Sequence, residues 1–552
     1  LRGEVRGLRL DLMKKGKAMI LEMDRKLQVS TFTYDALDRR VLSQYDDGST
    51  TSFTYGTVGR LTVAEDSSSG RIELSYDNLD RLVQEITSQG RVEYQYDAIG
   101  RRTTMTVNGQ TPVTYQYDSN SRLTQVAQGT QVVALGYDAA GRRASLTYPN
   151  GVETSYLYDQ SSRLLEIEHL NVSTQELIER LIYTYDAAGN RISFNRSNGT
   201  ATLLPDAVQA AYDAANEQIQ FDSSTPNLTY DANGNLTSQT DASGTTTYTW
   251  DARNRLITIS GPGVSASFMY DAIGRRITKT INGVATDFQY DGNDIVAEVR
   301  GTSIDATYLR SLNIDEQFLR KSTTSEFFHV DALGSSLHLT NQTAVSTTSY
   351  EYEVFGRTEI NGSSTNPFQY TGRENDDFNL YYYRNRYSNT RQARFISEDP
   401  LDSIEHGTHF NSTLRIIFQD SLYVVRGTNL YSYSRNNPTN FTDPNGLLVF
   451  GYVNAGEVYG EESAQFWADL YVETGNPIYW VPGVFASLWT RKTSDETLLT
   501  LAGGYGARVL GPFPVKGIPK FLQRVRRIIR FDPPHHGKGY HFDGAIIRWF
   551  RK

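Results

Sequence analysis

Cysteine is absent from all 552 residues, so neither disulfides nor thiolate metal sites hold this chain together, and redox compartment stays open. Proline is scarce at 16, which removes the residue that most often interrupts a hydrogen-bonded strand ladder. No run of about 18 apolar residues occurs, so there is no candidate transmembrane helix. The first residues carry Lys14, Lys15 and Lys17 but neither an apolar signal core nor an initial Met, and they read as the cut edge of a longer protein. Hydrophobic residues reach only 38%, modest for a thick core, whereas aromatics make up 12% and are dominated by 36 Tyr. Tyr combines an apolar body with a polar tip, which suits strands with one buried and one wet face; a thin-walled sheet is expected.

Acidic charge is unevenly withheld. Residues 448–552 carry 13 Lys+Arg against 9 Asp+Glu, leaving 41 against 54 in residues 1–447, so the body is −13 and the tail +4. The last 45 residues hold 11 basic side chains against only Asp532 and Asp543. Such polarity predicts two parts with different roles.

Internal period is the strongest positive signal. A unit of the form aromatic-Asp-x-x-Gly-Arg appears as Tyr34-Asp35 with Asp38-Arg39, Tyr76-Asp77 with Asp80-Arg81, Tyr96-Asp97 with Gly100-Arg101, and Tyr117-Asp118 with Ser121-Arg122. It continues at Tyr137, Tyr158, Tyr185, Tyr230, Trp250, Tyr270 and Tyr290. Steps of 20 or 21 residues run through Tyr158, followed by two of 27 to Tyr185 and Tyr212, one of 18 and three of 20; the longer steps predict loops. Segments such as 92–96 (VEYQY) alternate with period two and favour strands. The Asp is expected to accept backbone N–H bonds in an Asx-turn. Three residues later stand Gly100, Gly141, Gly189, Gly234, Gly274, Asp38, Asp80 or Asn254, types that tolerate φ > 0; Ser121 and Ser162 depart from the rule. The Arg is expected to pair with a neighbouring repeat's Asp, as a ladder of charge along one rim. These residues read as architecture first, with a Tyr ladder for sugar stacking as the other reading.

Further blocks follow the array: His329-Val330-Asp331-Ala332-Leu333-Gly334-Ser335, Tyr350-Glu351-Tyr352, Phe355-Gly356, 368–373 (FQYTGR), 380–386 (LYYYRNR), 394–400 (RFISEDP) and 429–447 (NLYSYSRNNPTNFTDPNGL). With them the chain resembles the RHS/YD-repeat family, which includes bacterial polymorphic toxins, cocoon-forming subunits of insecticidal toxin complexes and teneurin shells. The resemblance implies an all-β fold in which a strip of antiparallel sheet spirals into a hollow shell, barrel or cocoon, followed by a small α+β C-terminal domain. Residues 1–300 would form the YD-repeat shell, 301–447 the RHS repeat-associated core, and 448–552 a variable cargo. It also implies a part in interbacterial competition, secretion or cell-surface display within a longer protein, the chain's own C-terminal domain as enclosed cargo, and an immunity protein as partner.

The family's cores end in P-x-x-x-x-D-P-x-G-L, matched by Pro438, Asp443-Pro444-Asn445-Gly446-Leu447. In relatives the shell cuts itself after that Leu with an aspartic-protease-like carboxylate pair supported by an Arg. The match implies Asp399 and Asp443 as the pair, Arg394 as support and Leu447-Leu448 as the bond. Two carboxyls close enough to share a proton can activate water and polarise a carbonyl, and tethering the scissile bond supplies a large effective molarity. Ala393 and Asp402 stand where relatives have Gly, and 403–428 reads as an insertion.

The tail abandons the repeat. Residues 460–472 and 482–489 read as short helices, and Thr493-Ser494-Asp495 as the start of another to about Leu501, before a Gly-rich break at 503–506 that lacks a P-loop's Lys-Ser/Thr. Residues 519–530 interleave Lys520, Arg524, Arg526, Arg527 and Arg530 with apolar positions, an amphipathic basic helix suited to phosphate or a membrane surface, with Arg524, Arg526, Arg527 and Arg530 as candidate nucleic-acid contacts. Close by lie His535, His536 and His541 with Lys538, three of the eight His. They suit acid–base chemistry on a phosphodiester with no metal or other cofactor, as in a nuclease of RNase type. Two alternatives stay open there: His535, His541 and Asp543 holding a divalent metal, and a polar hairpin without chemistry. For the whole chain the reading is a toxin with a self-releasing nuclease cargo, and the alternative a non-toxic adhesion protein whose repeats bind carbohydrate.

Overall fold

The structure, a computed structural model, describes residues 8–14, 17–200, 202–203, 208–400 and 429–447, and beyond them the backbone of strands Phe450–Gly451, Ser487–Thr493, Glu496–Gly503 and Gly506–Phe513. The chain falls into two units, residues 1–408 with 425–479, and residues 409–424 with 480–552.

In the first unit each repeat supplies two antiparallel strands, and each strand pairs with the next in sequence. One sheet of 18 strands runs from Leu8 to Arg196, and a second of 14 strands from Leu228 to Gly362, crossing residue 300 without a break. Alternation sets the faces: along Gly70–Tyr76 and Val264–Tyr270 every second side chain is buried. The aromatic that opens each repeat coincides with a register shift, between Thr33 and Tyr34, Thr54 and Tyr55, Ser75 and Tyr76, and onward to Met269 and Tyr270. A bulge recurring once per repeat bends and twists the strip in one sense, which is how a meander becomes a coil. The 27-residue step after Tyr158 is absorbed largely by longer strands, Leu164–Asn171 and Glu176–Tyr185, rather than by an extended loop.

The repeat turn is one unit of chemistry. Asp97 accepts the N–H groups of Ile99 and Arg101 on Oδ1 at 3.0 and 2.9 Å and the Arg101 Nε on Oδ2 at 2.7 Å. Residues at the fourth turn position sit at positive φ, including Asp38 (57°), Asp80 (68°) and Asn254 (59°); Ser121 and Ser162 do so too (both 62°), because the same Asp bonds impose the turn. The Arg does not reach a neighbouring Asp side chain, as the sequence suggested, but pairs with its own repeat's Asp four residues back and then lies over the next repeat's ring: Arg81 over Tyr96 at 4.8 Å, Arg101 over Tyr117 at 4.7 Å, Arg142 over Tyr158 at 4.6 Å. The exception explains itself. Gly56 replaces the Asp of one repeat, and there Arg60 pairs with Asp80 of the next. The hydroxyls of Tyr55, Tyr96, Tyr117, Tyr137, Tyr185, Tyr270 and Tyr290 donate backwards to a carbonyl of the preceding repeat, as Tyr96 to Leu82 and Tyr117 to Arg102, both at 2.8 Å; Trp250 substitutes its Nε1–H, to Leu236 at 2.7 Å. With the hydroxyl used and one ring face covered, these Tyr offer little to a sugar.

The Arg and the backbone N–H groups hold Asp35, Asp77, Asp97, Asp118, Asp138 and Asp159 below the usual carboxylate range against an opposing desolvation. Depressed carboxyl pKa values contribute stability that is full above the unfolded value near 4 and is lost as pH falls through the lower folded values. Thermal denaturation monitored by circular dichroism should therefore show a melting temperature that drops steeply below about pH 4, and Asp→Asn at several of these turns should flatten that drop.

The two sheets meet in step. Contacts join Asp47 to Ala252, Glu85 to Arg275, Asn150 to Thr340 and Arg196 to Tyr350, at separations of 205, 190, 190 and 154 residues. A partner lying a slowly shrinking distance ahead along the sequence is the signature of successive turns of one tapering coil. The apolar core fills the space between: Val92, Tyr94, Val126 and Val133 of the first sheet pack with Val296, Leu309, Phe318 and Phe327 of the second. Against this core sits a small four-stranded sheet, Glu374–Asn375, Leu380–Tyr383, Arg386–Asn389 and Arg394–Phe395, whose Tyr381 and Tyr383 join Tyr350, Phe368 and Tyr433.

In the second unit three strands form an antiparallel sheet, Thr493 pairing with Glu496 and Gly503 with Gly506. The helices expected at 482–489 and from Thr493 to Leu501 are therefore replaced by strands from Ser487 onward. Ser and Asp serve hairpin turns as well as helix N-caps, and the recurring Thr of this stretch favours strands once a partner exists. The helices expected at 460–472 and 519–530 lie outside the described residues.

Candidate functional site

The small sheet places its first hairpin against the segment 443–447. Arg384, Asn385 and Arg386 form the turn between Leu380–Tyr383 and the strand starting at Arg386. They grip three successive carbonyls: Arg384 Nη1 donates to Pro444 at 2.7 Å, Asn385 Nδ2 to Asn445 at 3.0 Å, and Arg386 Nε to Gly446. Arg384 is fixed in turn by Asp294 and Asp315 at 2.9 and 2.7 Å. Gly446 has φ +66°, and a Cβ there would lie 2.5 Å from the Tyr383 carbonyl oxygen, so the turn requires Gly on both counts. Gly446→Ala is expected to lift the segment from the hairpin and slow any reaction at Leu447 by at least about tenfold, a penalty of the size that ~1–2 kcal/mol of left-handed strain produces, read by the rate at which a shorter chain accumulates.

Within this cradle one Nη2 of Arg386 touches two carboxylates, Asp399 Oδ2 at 3.0 Å and Asp443 Oδ2 at 3.2 Å. Both oxygens are thus within hydrogen-bond length of a single nitrogen. Asp443 is fully buried, and its other oxygen, Oδ1, accepts the N–H of Leu447 at 2.8 Å. The carboxyl pair consequently lies one peptide unit from the Leu447 carbonyl. Phe395 supports the guanidinium from below, its ring centre 3.7 Å from the Arg386 Cζ. Around it Tyr383 and Tyr433 share a hydroxyl contact at 3.2 Å, and the Tyr433 phenol is pushed up to about 12, first by burial and in part by Asp443. The site therefore combines a dry wall, two carboxyls and one cation, a set able to hold one carboxyl ionised and to orient a peptide.

Of the residues expected from the sequence, Asp399 and Asp443 come together and Leu447 lies against them. Arg394 does not join them: its Nη2 donates to the Asn216 carbonyl at 2.6 Å, and its guanidinium lies over Tyr431 and Tyr212 at 4.5 and 5.1 Å, with its pKa lowered by burial. Strand alternation is the reason. Phe395 faces Arg386, so its neighbour Arg394 points to the opposite side. Arg386 lies within the block 380–386, where only the hairpin register distinguishes it from Arg384. His535, His536, Lys538, His541 and Asp543, the basic residues Arg524, Arg526, Arg527 and Arg530, and the 403–428 insertion lie outside the described residues. Among the described residues no cluster of His, Asp and Glu is arranged to hold a metal ion.

Comparison with known proteins matches the Teneurin YD-shell family over residues 7–151 and the RHS Repeat family over residues 137–169 and 230–263. Among curated proteins, the tRNA(Glu)-specific nuclease WapA of Bacillus subtilis subsp. natto (strain BEST195) is 32% identical over 135 residues, 24% of this chain and 5% of that protein. Toxin subunit YenC2 of Yersinia entomophaga is 30% identical over 86 residues, 16% of this chain and 7% of its own length. The chain thus spans a small fraction of these relatives. Among solved structures, TcdB2-TccC3 superposes with a TM-score of 0.52 at 18% identity, covering 77% of this chain and 28% of that one. TcdB2-TccC3 without its hypervariable C-terminal region gives 0.50 at 17%, again over 77% of this chain and 28% of the other. The likeness in fold does not depend on that region.

Proposed function

We propose that this chain, whose repeats match the Teneurin YD-shell and RHS Repeat families, is an RHS/YD-repeat shell of the toxin type that cuts itself once, between Leu447 and Leu448, and so releases residues 448–552 as a cargo. The observation that carries this reading is the bridging of Asp399 and Asp443 by Arg386 beside the Leu447 amide. One carboxylate takes a proton from water as its oxygen attacks the Leu447 carbonyl carbon. The other, protonated, donates to that carbonyl oxygen, and collapse of the tetrahedral adduct expels the Leu448 amine, which takes up the proton. The products are a Leu447 carboxylate and a Leu448 amino terminus. Held on three carbonyls by the 384–386 turn, the bond is presented to the carboxyls without a binding step. Mass spectrometry of the purified chain tests this: two species, the second beginning at Leu448, are expected, and a single intact chain overturns it. Residues 301–447 would then act as the core that performs the cut, and residues 1–300 as the wall.

The cargo reading is a nuclease. Its support is the basic tail, with His535, His536, His541 and Lys538 close together in sequence, and the fact that curated relatives of the shell are named as tRNA nucleases. An immunity protein as partner, and export as part of a longer protein, belong to the same reading. Expressing residues 448–552 alone should arrest growth and degrade RNA, with His535→Ala or His541→Ala reducing cleavage by about 10²–10⁴-fold, the range of general acid–base catalysis; a harmless tail that leaves RNA intact contradicts it.

A further inference from the structure

Histidine is rare here, 8 in 552 residues, and five of them (His406, His409, His535, His536 and His541) lie outside the described residues. The other three meet at one place, where the two large sheets abut. His169 stands directly opposite Glu179 in the pairing of strands Leu164–Asn171 and Glu176–Tyr185 of the first sheet. His329 stands directly opposite His338 in the pairing of Ser325–Val330 and Ser336–Thr340 of the second. The His169 and His329 rings lie 5.2 Å apart across the junction, and all three imidazoles are buried.

The surroundings of His169 and His329 disfavour a second proton on either ring. His169 Nδ1 meets the Thr154 hydroxyl at 2.7 Å, and its Nε2 meets the Val330 carbonyl of the other sheet at 3.2 Å, where it can only donate. His329 Nε2 meets the Thr340 hydroxyl at 2.8 Å, while its Nδ1 has no hydrogen-bond partner in this buried position. A proton placed on that nitrogen would be buried without an acceptor and within one ring of His169. The charged groups nearby do not offset it. Glu179, the one carboxylate facing the cluster among the described residues, is already taken by Arg196 at 2.8 Å and by the N–H groups of Ser197 and Asn198, with His338 Nε2 at 3.4 Å. Arg196 adds positive charge, and Tyr148, whose ring lies 5.1 Å from His329, donates its hydroxyl to the Phe328 carbonyl. Burial first, and the neighbouring imidazoles second, lower the His169 pKa to about 3 and push that of His329 well below the ordinary imidazole value.

We infer that the His169–His329 contact is an acid-sensitive latch between successive turns of the sheet, closed while both rings are neutral and opening when they take up protons. It stands independently of the self-cleavage reading, since it uses only the junction between the sheets. The sign follows from linkage: the closed state excludes protons that an opened junction accepts near pH 6.5, so opening is favoured as pH falls below that value. Each ring contributes about tenfold per pH unit, about 100-fold per unit for the two together.

The cysteine-free chain allows a direct test. Thr174→Cys and Gln342→Cys, both exposed turn positions on the two sides of the junction, take spin labels whose separation is read by pulsed electron paramagnetic resonance. One distance at pH 7.5 and a second, longer population growing between pH 6.5 and 5 are expected, absent from His169→Gln/His329→Gln and with roughly a tenfold slope in His329→Gln alone. Arg253→Gln, which removes a junction ion pair with Asp66 elsewhere, should raise the open population at every pH without changing the slope. Failure of the unsubstituted chain to show the longer distance down to pH 5, or an unchanged slope in His329→Gln, overturns the latch; the single variant keeps the test valid if the double variant fails to fold.

Discussion

On the proposed self-cleavage, Asp443→Asn should leave one polypeptide where the unsubstituted chain is expected to yield two, with the rate of cutting after Leu447 reduced by about 10³-fold or more, in the range lost when a general acid–base group is removed. The substitution keeps the size of the side chain and keeps an acceptor for the Leu447 N–H, so the segment stays in its cradle while the carboxyl chemistry disappears. Asp399→Asn should act alike. Arg386→Lys distinguishes the observed support from the one expected along the sequence: an ammonium cannot reach two carboxylates and the Gly446 carbonyl together, so cutting should fall by at least about 10²-fold. Arg394→Lys should have a far smaller effect, because that side chain lies against Tyr431 and Tyr212. Timed gel electrophoresis of freshly purified variants gives all four rates, and a fast Arg386→Lys would remove that residue from the scheme.

Arg276→Ala should be the most damaging single change to stability, by about 3–5 kcal/mol. Its guanidinium is fully buried and bonds Asp376, Glu374 at 3.1 Å and the Tyr387 hydroxyl at 3.1 Å, with the Tyr382 ring 4.0 Å away. The pair thereby pins the small sheet to strand Arg276–Ile281 of the large one. Removing the cation leaves two carboxylates buried, with Lys279 on Asp376 at 3.0 Å and Arg373 on Glu374 at 2.8 Å as partial compensation. Chemical denaturation should show a lower midpoint, and the site should suffer with it, since the 384–386 turn is carried by the sheet that has come loose. Arg276→Met with Glu374→Gln and Asp376→Asn should recover a substantial part of the loss by removing the stranded charges.

The wall was largely legible in the sequence because each of its rules is local. Tyr, Asp, a residue tolerant of positive φ and Arg within six positions specify a turn, and repetition multiplies a weak signal until it is unmistakable. Asp38, Asp80 and Asn254 adopt the conformation their type suggests. What a local reading cannot give is which neighbour a long side chain will choose. The repeat Arg turned back to its own Asp and forward to a ring, because that geometry satisfies the guanidinium edge and face at once. Asp399 and Asp443 were found through a motif, but the cation was misplaced by one strand face: Arg394 is nearer to Asp399 along the chain, while Arg386 is nearer through the pairing of Arg386–Asn389 with Arg394–Phe395. In the tail, residues such as Thr493 and Ser494 fit a helix start and a hairpin equally well, and only pairing partners decide between them. The junction histidines were invisible for the same reason, being 160 residues apart in sequence.

The ordered succession of contacts between adjacent turns works like the meshing of two toothed racks. Within one repeat, losses and gains are cheap, because each hairpin is braced only by its immediate neighbours. Deleting one whole repeat of about 20 residues between Arg196 and Ala252 would preserve every local brace yet shift every pair that spans it by one tooth, setting Glu85 against the wrong Arg and separating His169 from His329. Evolution of such a wall is therefore expected to lengthen or shorten it at its free ends, or by matched changes on both turns, and to leave the repeat number inside a meshed turn untouched.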